Sequence, residues 1–256
     1  ASLVSVSAHA GELTVTGSAS MNTEGHSGEQ LDAGTTFSMA NSVYLKGSGE
    51  LDNGMTVSVS FELDQGTGNN SSNQFDNHSV TVSSDTMGSL TLAGHGGSTA
   101  ASKIDTTAAG DMWDNFDEMT IGGTTTANAV TTSGAGNISL FYTSPDLMDG
   151  LNVTLSYNPQ KGNAGNPSES GYGFNYTGVE GLSVSYAETD IETTVAGTTG
   201  DNTVLKVSYA YCTVTATYSN METDVETDAS AGETDSYALS YTISDELSVT
   251  YGSETH

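Results

Sequence analysis

Between Val43 and Leu63 apolar and polar residues alternate with a period of two. Val43, Leu45, Gly47 and Gly49 hold one set of positions and Tyr44, Lys46, Ser48 and Glu50 the other. After Leu51-Asp52-Asn53-Gly54 the series resumes, with Met55, Val57, Val59, Phe61 and Leu63 set against Thr56, Ser58, Ser60 and Glu62. Such alternation puts successive side chains on opposite faces of a strand, and Asp-Asn-Gly is tight-turn chemistry, so the stretch predicts an antiparallel hairpin. Residues 55–63 approach the roughly 9–11 that a tilted strand needs to cross a bilayer.

The unit recurs along the chain. Residues 11–21 predict a first strand, with Leu13, Val15, Gly17, Ala19 and Met21 on one face. Phe37 and Met39 open the second, and Val80 and Val82 a fourth that turns at Met87-Gly88 into a fifth carrying Leu90 and Leu92. After Gly94 the pattern stops for about forty residues, long for a structureless connection unless it has a role. It returns with Ile138, Leu140 and Tyr142 and continues, hairpin by hairpin, to Leu247, Val249 and Tyr251, with an unusually short turn around Cys212.

The total is roughly thirteen strands whose breaks alternate between short turns and long acidic loops, as in an antiparallel up-and-down β-barrel with two unlike rims. In a transmembrane barrel the apolar face looks out; in a soluble sandwich it looks in. Periodicity does not separate the two, but the rim asymmetry favours the barrel. Tyr142, Tyr157, Tyr186, Tyr218 and Tyr251 near strand ends predict an interfacial belt, with edge or core tyrosines as the alternative.

Hydrophobic residues make up 35% of the 256, below the usual soluble range. Thirty glycines would suit a disordered chain, but the regular alternation argues against one. No apolar run of about 18 residues exists, which excludes a transmembrane helix and leaves a barrel open. Asp and Glu number 32 against four lysines and no arginine, a net charge of −28, which disfavours nucleic acid as a partner. Asp64, Asp76, Asp190, Asp201, Glu222, Asp224, Glu226 and Asp228 are placed by the pattern in the breaks between strands. They read either as solubility in salt or as a functional preference for cations. Cys212 is the single cysteine and has neither a disulfide partner nor metal-ligand companions.

Both ends look cut. Leu3-Val4 resembles the end of a signal core, and Ala8-His9-Ala10 fits a small-x-small cleavage site, so residues 1–10 are expected to be a leader remnant, with an apolar N-terminal strand as the alternative. The last strand is interrupted at His256, so the barrel over residues 11–256 is expected to be truncated at its C-terminus. No nucleophile elbow, zinc-protease helix, phosphate loop or dinucleotide fingerprint occurs, and His9, His26, His78, His95 and His256 are scattered, so an enzyme is not expected.

Three segments carry a family likeness: residues 11–17 (Gly-Glu-Leu-Thr-Val-Thr-Gly), the Leu-Asp-Asn-Gly-Met hairpin, and residues 87–94 (Met-Gly-Ser-Leu-Thr-Leu-Ala-Gly) before the long break. In this order and spacing the chain resembles the Gram-negative general porins, especially their alphaproteobacterial branch. The resemblance implies a sixteen-stranded outer-membrane barrel, usually a homotrimer among outer-membrane lipids, with no cofactor, passing small hydrophilic solutes and ions. The break at 95–137 then takes the place of the inward-folded third loop that narrows the channel. Asp105, Asp111, Asp114, Asp117 and Glu118 become its constriction carboxylates, with Trp113 and Phe116 as loop anchors. Residues 69–76 would latch onto a neighbouring subunit.

Porins commonly oppose such acids with a basic cluster on the wall, and here there is no arginine. Lys46, Glu62 and Lys206 fall on inward-facing strand positions of the lumen wall, whereas Lys103 and Lys161 lie in loops. The transverse field would be weak and the pore cation-preferring. Acidic loops also make weak Ca²⁺ candidates of Glu222, Asp224, Glu226 and Asp228, without the spacing of a calcium loop. The competing reading is an acidic β-rich surface protein with a structural or adhesive role.

Overall fold

In a computed structural model of the chain, residues 13–26, 34–64, 76–104, 120–121, 124–125, 138–159, 168–192, 199–225 and 232–255 are described. The strands are β1 (Thr14–His26), β2 (Gly34–Glu50), β3 (Thr56–Asp64), β4 (His78–Ser84), β5 (Gly88–His95), β6 (Thr120–Ile121), β7 (Thr124–Thr125) and β8 (Ser139–Thr143). They continue with β9 (Leu151–Asn158), β10 (Ser168–Tyr176), β11 (Leu182–Glu192), β12 (Gly200–Tyr211), β13 (Val214–Val225), β14 (Gly232–Ser244) and β15 (Leu247–Thr255). All but β6 and β7 form one 13-stranded sheet in which each strand pairs with its sheet neighbours in chain order. Every pairing is antiparallel. Among the described residues no pairing closes the sheet, and β1 and β15 are its edges.

Registry keeps the two faces distinct. Val57 and Val59 lie opposite Val82 and Val80, and Leu239 and Tyr241 opposite Tyr251 and Val249. Between them Ser58 and Ser60 face Thr81 and Ser79. A one-residue slip would exchange the faces along the whole strand, so the alternation itself specifies the register. The tight turns comply: Gly54 takes φ +80°, and Leu51 N–H reaches the Met55 carbonyl at 2.7 Å. At the β12–β13 turn Cys212 adopts φ +55°, a left-handed conformation that two-residue hairpins require and that few side chains favour.

The apolar rows are not packed against a second sheet. Val15, Leu239 and Val249 are 62%, 52% and 56% exposed, whereas Ser219, Ser236 and Thr189 on the opposite face are at most 1% exposed. A soluble sandwich buries the opposite set. The tyrosines of the expected belt are on the apolar face: Tyr142 is in register with Leu90, Tyr186 with Phe174 and Leu205, and Tyr251 with Leu239.

Two expectations need correction. The first strand continues to His26, paired through Glu24 opposite Thr36, instead of ending at Met21. Asp64 closes β3, and Asp190, Asp201, Glu222 and Asp224 lie within β11, β12 and β13, so none of the five is in a loop. Backbone pairing carries these strands past the apolar band, so the exposed row changes from greasy to acidic along one strand. On β11 it reads Leu182, Val184, Tyr186, then Glu188 and Asp190; on β14 it reads Ile243, Tyr241, Leu239, Tyr237, then Asp235 and Glu233. Tyrosine hydroxyls mark the change: Tyr172 donates to Glu188 at 2.6 Å, Tyr186 to the same carboxylate at 3.1 Å, and Tyr218 to Asp235 at 2.7 Å. Inside the long insertion β6 pairs with β7, flanking a Gly-Gly dipeptide suited to hairpin turns.

An arginine placed on the apolar face should be costly in lipid and tolerated on the other. Val207→Arg is expected to lower stability against urea by about 2–4 kcal/mol in a refolded bilayer preparation, and adjacent Ser208→Arg by less than about 1 kcal/mol. Equal costs would mean that the two faces are misassigned.

Candidate functional site

The polar face is built from hydroxyl and amide ladders that cross the strands. Thr81 and Thr91 meet at 2.8 Å, Ser208 and Thr217 at 3.0 Å, and Ser240 and Thr250 at 2.6 Å. Asn175 Nδ2 donates to Asn152 Oδ1 at 3.2 Å and accepts from Ser185 Oγ at 2.7 Å through its own Oδ1. These pairs satisfy one another across the strands and leave a wall that is hydrophilic and largely uncharged.

The strand-borne candidates Lys46, Glu62 and Lys206 are on this face. Glu62 lies opposite Tyr44, Lys46 opposite Ser60, and Lys206 between Ser185 and Ser219. The buried Glu62 carboxylate accepts from Asn77 Nδ2 at 2.5 Å and also from Tyr44 and Ser42, within electrostatic reach of Lys46. Lys46 Nζ stands 4.9 Å from the centre of the Tyr44 ring. Acid, base and ring thus form a local cluster in which opposite charges offset each other.

After β5 the chain turns onto the same polar face. Gly96 (φ +67°) and Gly97 make the passage possible: a Cβ on Gly97 would sit 1.8 Å from Ser139 Oγ. Thr99 and Ser102 then bind each other reciprocally, Thr99 N–H to Ser102 Oγ at 2.8 Å and Ser102 N–H to Thr99 Oγ1 at 3.0 Å. They brace a single 3-10 turn, Ala101–Lys103. Ala100 N–H reaches Ser156 Oγ on β9 at 2.9 Å, and Ala101 N–H reaches Thr189 Oγ1 on β11 at 3.3 Å.

Beneath the turn lies a small apolar dock. Ala187, Val204 and Met221 stand side by side in register on β11, β12 and β13, and with Ala100, Ala101 and Ile104 they form a hydrophobic cluster on a predominantly polar face. Gly173 keeps its floor low, since a Cβ there would lie 2.8 Å from the Ala187 Cβ. The alternation pattern alone does not single these residues out. Their signal was present as Ala187, Val204 and Met221 interrupting the polar row, but nothing local said what would cover them.

Lys103, read as a loop residue, also lies on the polar face. Its Nζ is 5.8 Å from the centre of the Phe141 ring. Phe141 sits on the polar row of β8 between Ser139 and Thr143. Both residues border a cleft of 620 Å³ lined otherwise by hydroxyls, amides and small residues including Ser79, Thr91, Asn152, Thr154 and Asn175.

The remaining insertion candidates, Asp105, Asp111, Asp114, Asp117 and Glu118 with Trp113 and Phe116, lie outside the described residues, as does most of the 69–76 segment. Of the Ca²⁺ candidates, Glu222 and Asp224 are exposed on the outer row of β13, and Glu226 and Asp228 lie outside the described residues. Among the described residues no three His, Cys, Asp or Glu side chains converge as a metal site.

A family profile described as Gram-negative porin matches residues 1–256. No curated protein sequence matches. Among solved structures, Salmonella typhi OmpF in complex with daunomycin superposes with a TM-score of 0.65 at 16% identity, covering 94% of this chain and 78% of that one. OmpT of Vibrio cholerae with its loop L8 deleted gives 0.59 at 16% identity, over 94% of this chain and 81% of that one. The anion-selective porin from Comamonas acidovorans gives 0.57 at 20% identity, over 94% and 78%. At these identities the structural likeness speaks for the fold, and the profile speaks for the family. A whole-length profile match, on an up-and-down sheet whose greasy side is bare and whose long loop begins on its polar side, places this chain in the Gram-negative porin family, as a channel protein of the outer membrane.

Proposed function

We propose that this porin lets small hydrophilic solutes and ions diffuse passively across the outer membrane, with a preference for cations. The observation that carries the sign is the charge, 32 acids against four lysines with no arginine. Lining charge, not family, decides selectivity: the fold is shared with the anion-selective porin from Comamonas acidovorans. In a water-filled bore with low-dielectric walls, fixed charge is felt within about a Debye length, roughly 8–10 Å at ordinary salt.

In this reading the insertion narrows the bore and carries Asp105, Asp111, Asp114, Asp117 and Glu118 into it, with Trp113 and Phe116 against the wall. The docked start of the insertion supports this, because Ala100 and Ala101 are almost wholly buried on the polar face. A homotrimeric assembly belongs to the same reading and rests on the family resemblance. The adhesive alternative has no use for a continuous exposed apolar band, and no observation favours it.

In planar bilayers under a KCl gradient the full chain should give discrete conducting steps and a reversal potential of cation-selective sign. The selectivity should fade as salt rises and screens the acids. A reversal potential of the opposite sign at low salt defeats the proposed preference. Overfilling the dock is a second check. Ala101→Phe should cost about 1–3 kcal/mol of stability through strain and alter single-channel conductance by displacing the insertion. Unchanged conductance in a folded variant would mean that the insertion does not shape the bore.

A further inference from the structure

The lysines on the polar face differ in how much of their charge a passing ion would meet. Lys46 has the Glu62 carboxylate beside it on the next strand. Lys206 lies two residues from Val204, in the row that runs under the dock. Lys103 closes the 3-10 turn, and its side chain is exposed in the 620 Å³ cleft. Among the described residues that line that cleft it carries the only charge.

Its position is also well determined. The turn that bears it is pinned by the burial of Ala100 and Ala101 and by their backbone hydrogen bonds to Ser156 and Thr189. At its far end the ammonium stands over Phe141, the aromatic exception in a row of hydroxyls. An aromatic face holds an ammonium by its quadrupole without neutralising it. Phe141 therefore orients the charge and leaves it available to a solute in the cleft.

We propose that Lys103, carried on the first turn of the insertion and held over Phe141, is a selectivity-determining residue of this channel: it is where chloride and small carboxylate- or phosphate-bearing solutes are drawn into an otherwise acidic pore. The positive pole thus sits on the loop itself, a few residues before the loop's acids, and does not require a basic cluster on the wall. Its charge sets the share of current carried by anions. The inference rests on the diffusion-channel reading and adds to it a named residue and a class of solute.

The test is the potassium-to-chloride permeability ratio of the full chain in planar bilayers, from reversal potentials in a KCl gradient. Relative to the unsubstituted protein, Lys103→Gln should raise the ratio by about threefold and Lys103→Glu by more, the size expected for one unit charge a few ångströms from an ion in water. Lys103→Cys in a Cys212→Asn background removes any dependence on how well the variants fold, because one channel is compared before and after labelling. A cationic thiosulfonate reagent should bring the ratio back towards that of the unsubstituted protein, and an anionic one should drive it towards that of Lys103→Glu. The inference is overturned if conducting Gln and Glu variants keep the original ratio, or if neither reagent moves the Cys variant. If the unsubstituted protein gives no conducting steps, the channel reading fails and takes the inference with it; steps at a fixed ratio overturn the inference alone.

Discussion

In hydrocarbon a backbone N–H or C=O that lacks a partner costs several kcal/mol, and water is not there to supply one. Strand-to-strand pairing is therefore the condition under which this chain can lie in a bilayer at all. It explains why the 13 strands run in chain order with antiparallel registers over almost their entire lengths. It also explains why stability does not call for a large apolar interior. The Leu, Val and Tyr rows gain from lipid what the core of a soluble protein gains from its own side chains, so the polar face is left free to be wet.

That freedom has an exception under the first turn of the insertion, and the exception is informative. Three strands give up a polar position to Ala187, Val204 and Met221, and these side chains are buried by the start of the insertion. The residues chosen are small or flexible, so the 3-10 turn can approach the wall closely, and Ser156 and Thr189 satisfy the amides that the approach desolvates. A few apolar contacts plus two hydrogen bonds fix where a long loop begins. Lys103, the last residue of that turn, inherits the starting point.

The outer surface shows the same economy. Tyrosines close the apolar band, and their hydroxyls bind the first carboxylates beyond it, at Glu188 and Asp235. A ring with an apolar body and a polar tip suits the boundary between hydrocarbon and headgroups. Strands that continue past this boundary can carry acids on their outer row, which accounts for part of the −28 charge without placing it in lipid.

The sequence by itself determined the number of strands in the main sheet, their alternation, the two unlike rims and the segment that leaves the sheet, though not the β6–β7 pair inside that segment. These depend on neighbours two residues apart and on turns of a few residues, such as Asp52-Asn53-Gly54, so they are written locally. It also put Lys46, Glu62 and Lys206 in the polar row, because a residue's parity in a strand assigns its face. Which face looks outward, and what covers the polar one, was decided only by the tertiary structure. The dock joins Ala100 to Ser156 and Ala101 to Thr189, separations of 56 and 88 residues, and no pattern with a period of two records contacts at that range. For the same reason Lys103 looked like one more solvated loop lysine until the fold brought Phe141 beneath it.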